Sequence, residues 1–175
     1  MLKRFLLSLA AVTVSLGLAH ANDTDRAALL DTVETFKGAM GKGDFDTVMS
    51  MVPEKVFGQM ADELEVTPER LTSLVVEQMK VVLADVQILE FDMQTADFEI
   101  EETSQGVAYV FLPTRTVVEV QGSKVETKSH TLALRDGEEW RLVRVEDTAQ
   151  LGVLRDVYPG FSEIEFPPGT VKLLN

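Results

Sequence analysis

The sequence predicts an α+β fold, N-terminal helices packed on a strongly curved antiparallel β-sheet, and three observations carry that prediction. Apolar residues recur at helical spacing through the first half of the chain. Beyond Val86 they alternate at the two-residue period of a strand. The breaks between the alternating segments are too short to bring a strand back in parallel.

The opening segment, MLKRFLLSLAAVTVSLGLAHA, stands apart from the fold. Lys3 and Arg4 precede an apolar run from Phe5 to Leu18, and Ala19-His20-Ala21 has the small-x-small form of a cleavage site. A signal peptide cleaved after Ala21 is expected, which leaves residues 22–175 as one periplasmic or secreted domain. Cysteine is absent, so packing alone must hold that domain, and no lipid-attachment residue follows the leader. Lys and Arg number 16 against 29 Asp and Glu; without Lys3 and Arg4 the balance is 14 against 29, or −15. A field of that sign repels nucleic acid and anionic lipid, so neither nucleic acid nor membrane insertion after cleavage is expected.

The first helix is expected over Asp23–Met40, where Leu29, Val33, Phe36 and Met40 form one stripe. Gly41 and Gly43 end it. Asp44 caps a second, short helix with Phe45, Val48, Met49 and Val52 inside, and Pro53 stops it. Val56, Phe57, Met60 and Leu64 continue a helix-like pattern across Gly58. A further helix starts at Thr67-Pro68, with Leu71, Leu74, Val75, Gln78, Met79 and Val82 tracing a face as far as Asp85.

Four extended segments follow, at about 88–102, 107–120, 124–135 and 138–147, with Asp136-Gly137 the strongest hairpin signal. In the first, the apolar phase shifts from Phe91 and Met93 to Ala96, Phe98 and Ile100, which requires a bulge or bend. In the second, Ala108, Val110, Leu112, Thr114, Thr116, Val118 and Val120 form the core face, and Pro113 removes a ladder donor. Strands of a dozen residues would span roughly 40 Å if straight, so the sheet must curl around the helices. AQLGVLRDVYP reads as a short helix with Leu151, Leu154 and Tyr158 on one side. From about residue 159 the chain reads as an extended arm. Its apolar Ile164 and Phe166 suit either a partner's sheet edge or its own.

A long first helix, the GDFDTVMSMVP entry to a second, another helix, and strands ending in DGEEWRLVRVED together resemble the nuclear transport factor 2-like, cystatin-like-roll superfamily. The resemblance covers most of residues 22–175 and implies a cone-like cavity between sheet and helices. It implies no particular reaction, because that superfamily holds isomerases, dehydratases, transport factors and exported proteins alike. One departure is that residues 54–66 read as helix or loop, where family members often carry a short β-hairpin.

Candidate chemistry is sparse. His130 is the one histidine downstream of the leader, and a proton relay in the cavity would use it as base with Asp97 or Tyr109 as partner. Its neighbours Glu126 and Lys128 suit a solvent-facing strand equally well. Tyr109, Phe111 and Trp140 are candidate ligand-stacking residues, and Trp140 alternatively packs on the helices with its N–H satisfied locally. No nucleophile elbow, phosphate-binding loop or metal-ligand spacing is present, so no cofactor and no metal are expected. The expected function is an exported, non-catalytic binding or interaction module. It would hold a small apolar ligand or a protein partner in the cavity, with a homodimer through the outer face of the sheet as one arrangement. The alternatives are an isomerase- or dehydratase-type enzyme using His130, and an envelope assembly or inhibitor protein acting through its surface and tail.

Overall fold

The computed structural model describes residues 16–145 and 147–174, with side chains described from Asp23 onward. The leader expected over residues 1–21, with its cleavage point, lies outside the residues described in full. Four helices come first: α1 (Leu16–Lys42), α2 (Phe45–Ser50), α3 (Glu54–Glu63) and α4 (Pro68–Ala84). The strands β1 (Val86–Met93), β2 (Glu101–Glu102), β3 (Ala108–Val120), β4 (Ser123–Asp136) and β5 (Glu139–Val143) follow. The chain closes with α5 (Thr148–Val157), a 3-10 turn (Pro159–Phe161) and β6 (Thr170–Leu174). This is the α+β architecture that the sequence predicts, helices followed by a strongly curled antiparallel sheet.

The helix starts are set by local chemistry. Asp44 accepts from the Thr47 amide at 3.2 Å and the Thr47 hydroxyl at 2.8 Å, and these bonds hold its carboxyl below the usual range. Thr67 accepts from the Arg70 amide at 3.2 Å, with Pro68 in the first turn of α4. Between them α3 is unbroken across Gly58, in the place where the resembled family often has a hairpin. On α4 the expected face is rotated. Leu71 and Val76 are buried, whereas Leu74 and Val82 are exposed, because the helix meets α2, α3 and β1 along one side only.

The sheet has two continuous inner strands and two broken flanks. β3 and β4 pair from Tyr109↔Leu134 to Val120↔Ser123 around Gln121-Gly122, both with positive φ, as a type I′ turn requires. β1 and β2 both lie along β3, and β5 and β6 both lie along β4. The first extended segment is therefore not one strand to Glu102. It bulges between Ile88 and Glu90, leaves the sheet after Met93, and rejoins at Glu101. Pro113 does not interrupt β3. Its carbonyl accepts from the Gln94 amide at 2.9 Å, so its donorless nitrogen also faces the flank where β1 has just ended. The opposite flank breaks at the same level, since β5 pairing ends at Leu132↔Val143 and β6 pairing ends at Lys128↔Thr170. Both gaps bracket the Pro113↔His130 pair.

Both faces of the sheet are covered near these gaps. On the inner face Val110, Leu112, Ala133, Trp140 and Leu142 pack with Leu29 and Val33 of α1. Arg26 fastens that helix by bonding the Phe98 carbonyl at 2.8 Å and stacking 3.9 Å over the Phe98 ring. On the outer face Tyr109, Leu132 and Leu134 pack with Leu154, Tyr158 and Phe161, so α5, the 3-10 turn and the arm form a third layer. The arm then adds β6 to its own sheet rather than ending as a loose tail. Beyond this layer the outer face is ionic, with Arg115 bonded to both Glu126 and Glu90.

Candidate functional site

The stripe on α1 changes role along its length. Leu29 and Val33 are fully buried against the sheet, whereas Phe36 and Met40, one and two turns further on, line an open space. Helices and sheet diverge here and enclose a cavity of about 330 Å³, within the range of small-molecule sites. Val48 closes it from α2, Val52 from the α2–α3 connection, Val56 and Met60 from α3, and Met79 from α4. Phe91, Leu142 and Val143 supply the sheet wall, and Val153 reaches in from α5.

The polar content of this cavity is small and specific. Thr114 and Thr131 lie diagonally across β3 and β4, both buried, with their hydroxyls 2.8 Å apart, and Thr114 also donates to the Leu112 carbonyl at 3.0 Å. Their hydrogen-bonding capacity is thus largely met within the sheet. Gln150 and Arg144 also line it, and Arg144 is the one charged side chain there among the described residues.

A second space of about 420 Å³ opens where the β4 flank is broken. Its walls include Phe111, Leu132 and Phe166, with Ser129, His130 and again Arg144. The Ser129 hydroxyl and the His130 Nδ1 are buried and have no hydrogen-bond partner among the described residues.

The candidate residues from the sequence do not converge in the helix–sheet cavity. His130 does not line it. Its register opposite Pro113 puts it on the outer face with Leu132 and Leu134, in the second space. Tyr109 is on that outer face too, four register positions away or roughly 13 Å along the strand. Its hydroxyl donates to Glu101 at 2.8 Å. Asp97 is exposed on the segment between β1 and β2. Phe111 borders the second space, edge-on to Tyr109 and Phe166. Trp140 is in the closed inner core, and its Nε1 finds no partner there, contrary to the locally satisfied N–H expected. Among the described residues no three His, Asp or Glu side chains gather as a metal site would need, and no helix is long and apolar enough to cross a membrane.

Burial and the bond to Glu101 push the Tyr109 phenol up to about 12 from its ordinary 10. Burial first, then the nearby Asp136 carboxylate, raise Tyr158 as well. Because the fold favours both phenols neutral, their contribution is intact below the unfolded value near 10 and declines as pH rises through 12. These are the only two tyrosines, so an alkaline titration followed by phenolate absorbance should show less than half of either ionised at about pH 11 while the fold persists. Ionisation of both near pH 10 in the folded protein would contradict the packing described for the outer layer.

Arg144 and the outer layer are the features that the sequence reading did not single out. The outer layer had a signal: Ala108-Tyr-Val-Phe-Leu112 is apolar at every position, as in a strand buried on both faces. For Arg144 no local pattern marks it out, since it is one of several charged residues in this stretch, among them Glu139 and Arg141. No family model, no curated protein and no solved structure matches the chain.

Proposed function

We propose that the protein is an exported, non-catalytic binding module of nuclear transport factor 2-like type, and that it holds a small apolar ligand in the helix–sheet cavity. The observation that supports this most is the composition of the lining. A space of about 330 Å³ is walled by aliphatic, methionine and phenylalanine side chains from all four N-terminal helices, and among the described residues that line it there is no carboxylate or imidazole to carry proton transfer. Met40, Met60 and Met79 give the wall adaptable, polarizable groups suited to irregular apolar shapes. The curled sheet beneath a helical layer suits the cone-like cavity that the family resemblance implies. The leader accounts for delivery to the periplasm or beyond.

Filling the cavity from within tests this reading. Val52 is half-buried on the lining, so Val52→Trp should occupy the space while leaving the closed core of α1 and β3 in place. The protein should bind the apolar fluorophore N-phenyl-naphthylamine, and the variant should bind it about tenfold more weakly, a loss of about 1.4 kcal/mol. Equal binding by both proteins, with the variant folded, would place the fluorophore elsewhere and remove the basis for the proposal.

A further inference from the structure

We propose that α4 is a dimerisation surface, on which a second copy of this chain packs its own α4 antiparallel about a twofold axis at Gln78. The surface is separate from the cavity and does not depend on what the cavity binds.

Exposed apolar side chains concentrate at this helix. Seven large apolar residues are exposed among the described residues, and five of them, Leu64, Leu74, Val81, Val82 and Leu89, lie on α4 or within five residues of its ends. Leu74, Val75, Val81 and Val82 surround Gln78 at steps of three and four, which makes a stripe about 120° wide at 3.6 residues per turn. The other side of the helix is already packed, with Val76 buried and Met79 on the cavity wall. Val81, at 63% exposed, has nothing over it among the described residues.

The stripe is complementary to itself. In an antiparallel pair crossing at Gln78, each residue meets the one equally far along on the other side of that position. Leu74 then meets the partner's Val82, and Val75 meets the partner's Val81. The two Gln78 amides face each other, and each has both the donor and the acceptor for a reciprocal bond. One polar pair in an apolar seam holds the register.

Charge selects a second copy as the occupant. Arg70, Glu77, Lys80 and Asp85 flank the stripe, so their signs alternate along the helix. Inversion about Gln78 brings Glu77 beside the partner's Lys80 and Arg70 beside the partner's Asp85, and symmetry repeats both pairs. All four residues are exposed, and none is in a salt bridge among the described residues. Arg70 in the first turn and Asp85 at the C-cap also oppose the dipole of their own helix, and an antiparallel partner offsets both. An unrelated helix would have to reproduce this inverted order, whereas a second copy carries it by symmetry.

Sedimentation velocity tests the proposal. Between about 1 and 200 µM the protein should pass reversibly from one chain mass to two. Val81→Glu, at an exposed position, should weaken the dimer at least about tenfold while leaving the circular dichroism unchanged. Glu77→Lys and Lys80→Glu should each weaken it about threefold or more, and the double variant should recover most of that loss. A monomer at every concentration would overturn the proposal and leave the stripe to a helix of another protein. A dimer that Val81→Glu does not weaken would place the contact elsewhere. A double variant no better than either single one would overturn the antiparallel register, whatever becomes of Val81→Glu.

Discussion

Phe161→Ala should lower the unfolding free energy by about 3–5 kcal/mol, enough to consume much of the stability of a domain this size. Phe161 is fully buried, and its ring sits at the centre of the outer layer. The Tyr109 ring is 5.3 Å from it, that of Phe166 6.2 Å and that of Tyr158 6.4 Å, all edge-on, so truncation removes a hub that joins β3, α5 and the arm. Because Arg155 also bonds the Phe161 carbonyl at 3.2 Å, the backbone is held in place and cannot collapse freely into the cavity left behind. Urea denaturation would read the effect as a fall in midpoint at unchanged slope. A loss below about 1 kcal/mol would mean that α5 and the arm lie on the sheet without being part of its core.

Gly160→Ala comes next, at about 1–3 kcal/mol or more, through excess volume rather than a void. A methyl group at Gly160 would lie 2.6 Å from the Thr103 hydroxyl and 2.9 Å from its Cβ. Thr103 has little freedom to move aside. It is 5% exposed, and its hydroxyl accepts from the Val107 amide at 3.1 Å in the turn that leads into β3. The clash therefore forces either the 3-10 turn or the 103–107 turn out of place. Hydrogen exchange should show faster opening at Val107 and Phe161 together. Unchanged stability, with protection intact at both, would contradict the close approach of those two turns.

Both substitutions probe the layer that the sequence left least legible, and the reason is physical. Local features were readable because a few neighbouring residues determine them: the Asp44 and Thr67 caps, the Pro68 start, the turn at Gln121-Gly122, and the turn at Gly137-Glu138 directly after Asp136. The phase shift after Met93 was legible as a disruption, and the structure resolves it into a complete exit from the sheet opposite Pro113. Which face of β3 met the core was a different kind of question. Val110 and Leu112 do face α1, but Tyr109 and Phe111 are covered as well, by a segment some 45–55 residues further along the chain. On α4 the sequence Val-Val-Leu-Ala offers several equally apolar stripes, and only contact with α2, α3 and β1 selects among them.

The cavity was legible as a consequence of the curl, but its lining was not. It draws one to three side chains from each of the four N-terminal helices, and others from β1 and from the far end of the sheet, so no spacing in the sequence collects them. Chemical distinctiveness guided attention to His130, Asp97 and Tyr109, and geometry separates them. Register puts His130 and Tyr109 on the outer face and four positions apart, and Asp97 leaves the sheet altogether. Arg144 is an ordinary residue in sequence and acquires its place only because β5 ends one residue earlier and leaves the flank of β4 open.

The methionines allow the most direct test of the cavity as the place where this protein binds. Met40, Met60 and Met79 line it, Met93 is buried in the closed core, and Met49 and Met51 lie outside the lining. With methyl-labelled methionine, titration of decanol followed by NMR should shift the resonances of Met40, Met60 and Met79 in parallel, leaving those of Met49 and Met51 where they were. Saturable binding that moves Met49 or Met51 and leaves all three lining methyls unshifted would show that the ligand goes elsewhere, and that the space between helices and sheet is not the site.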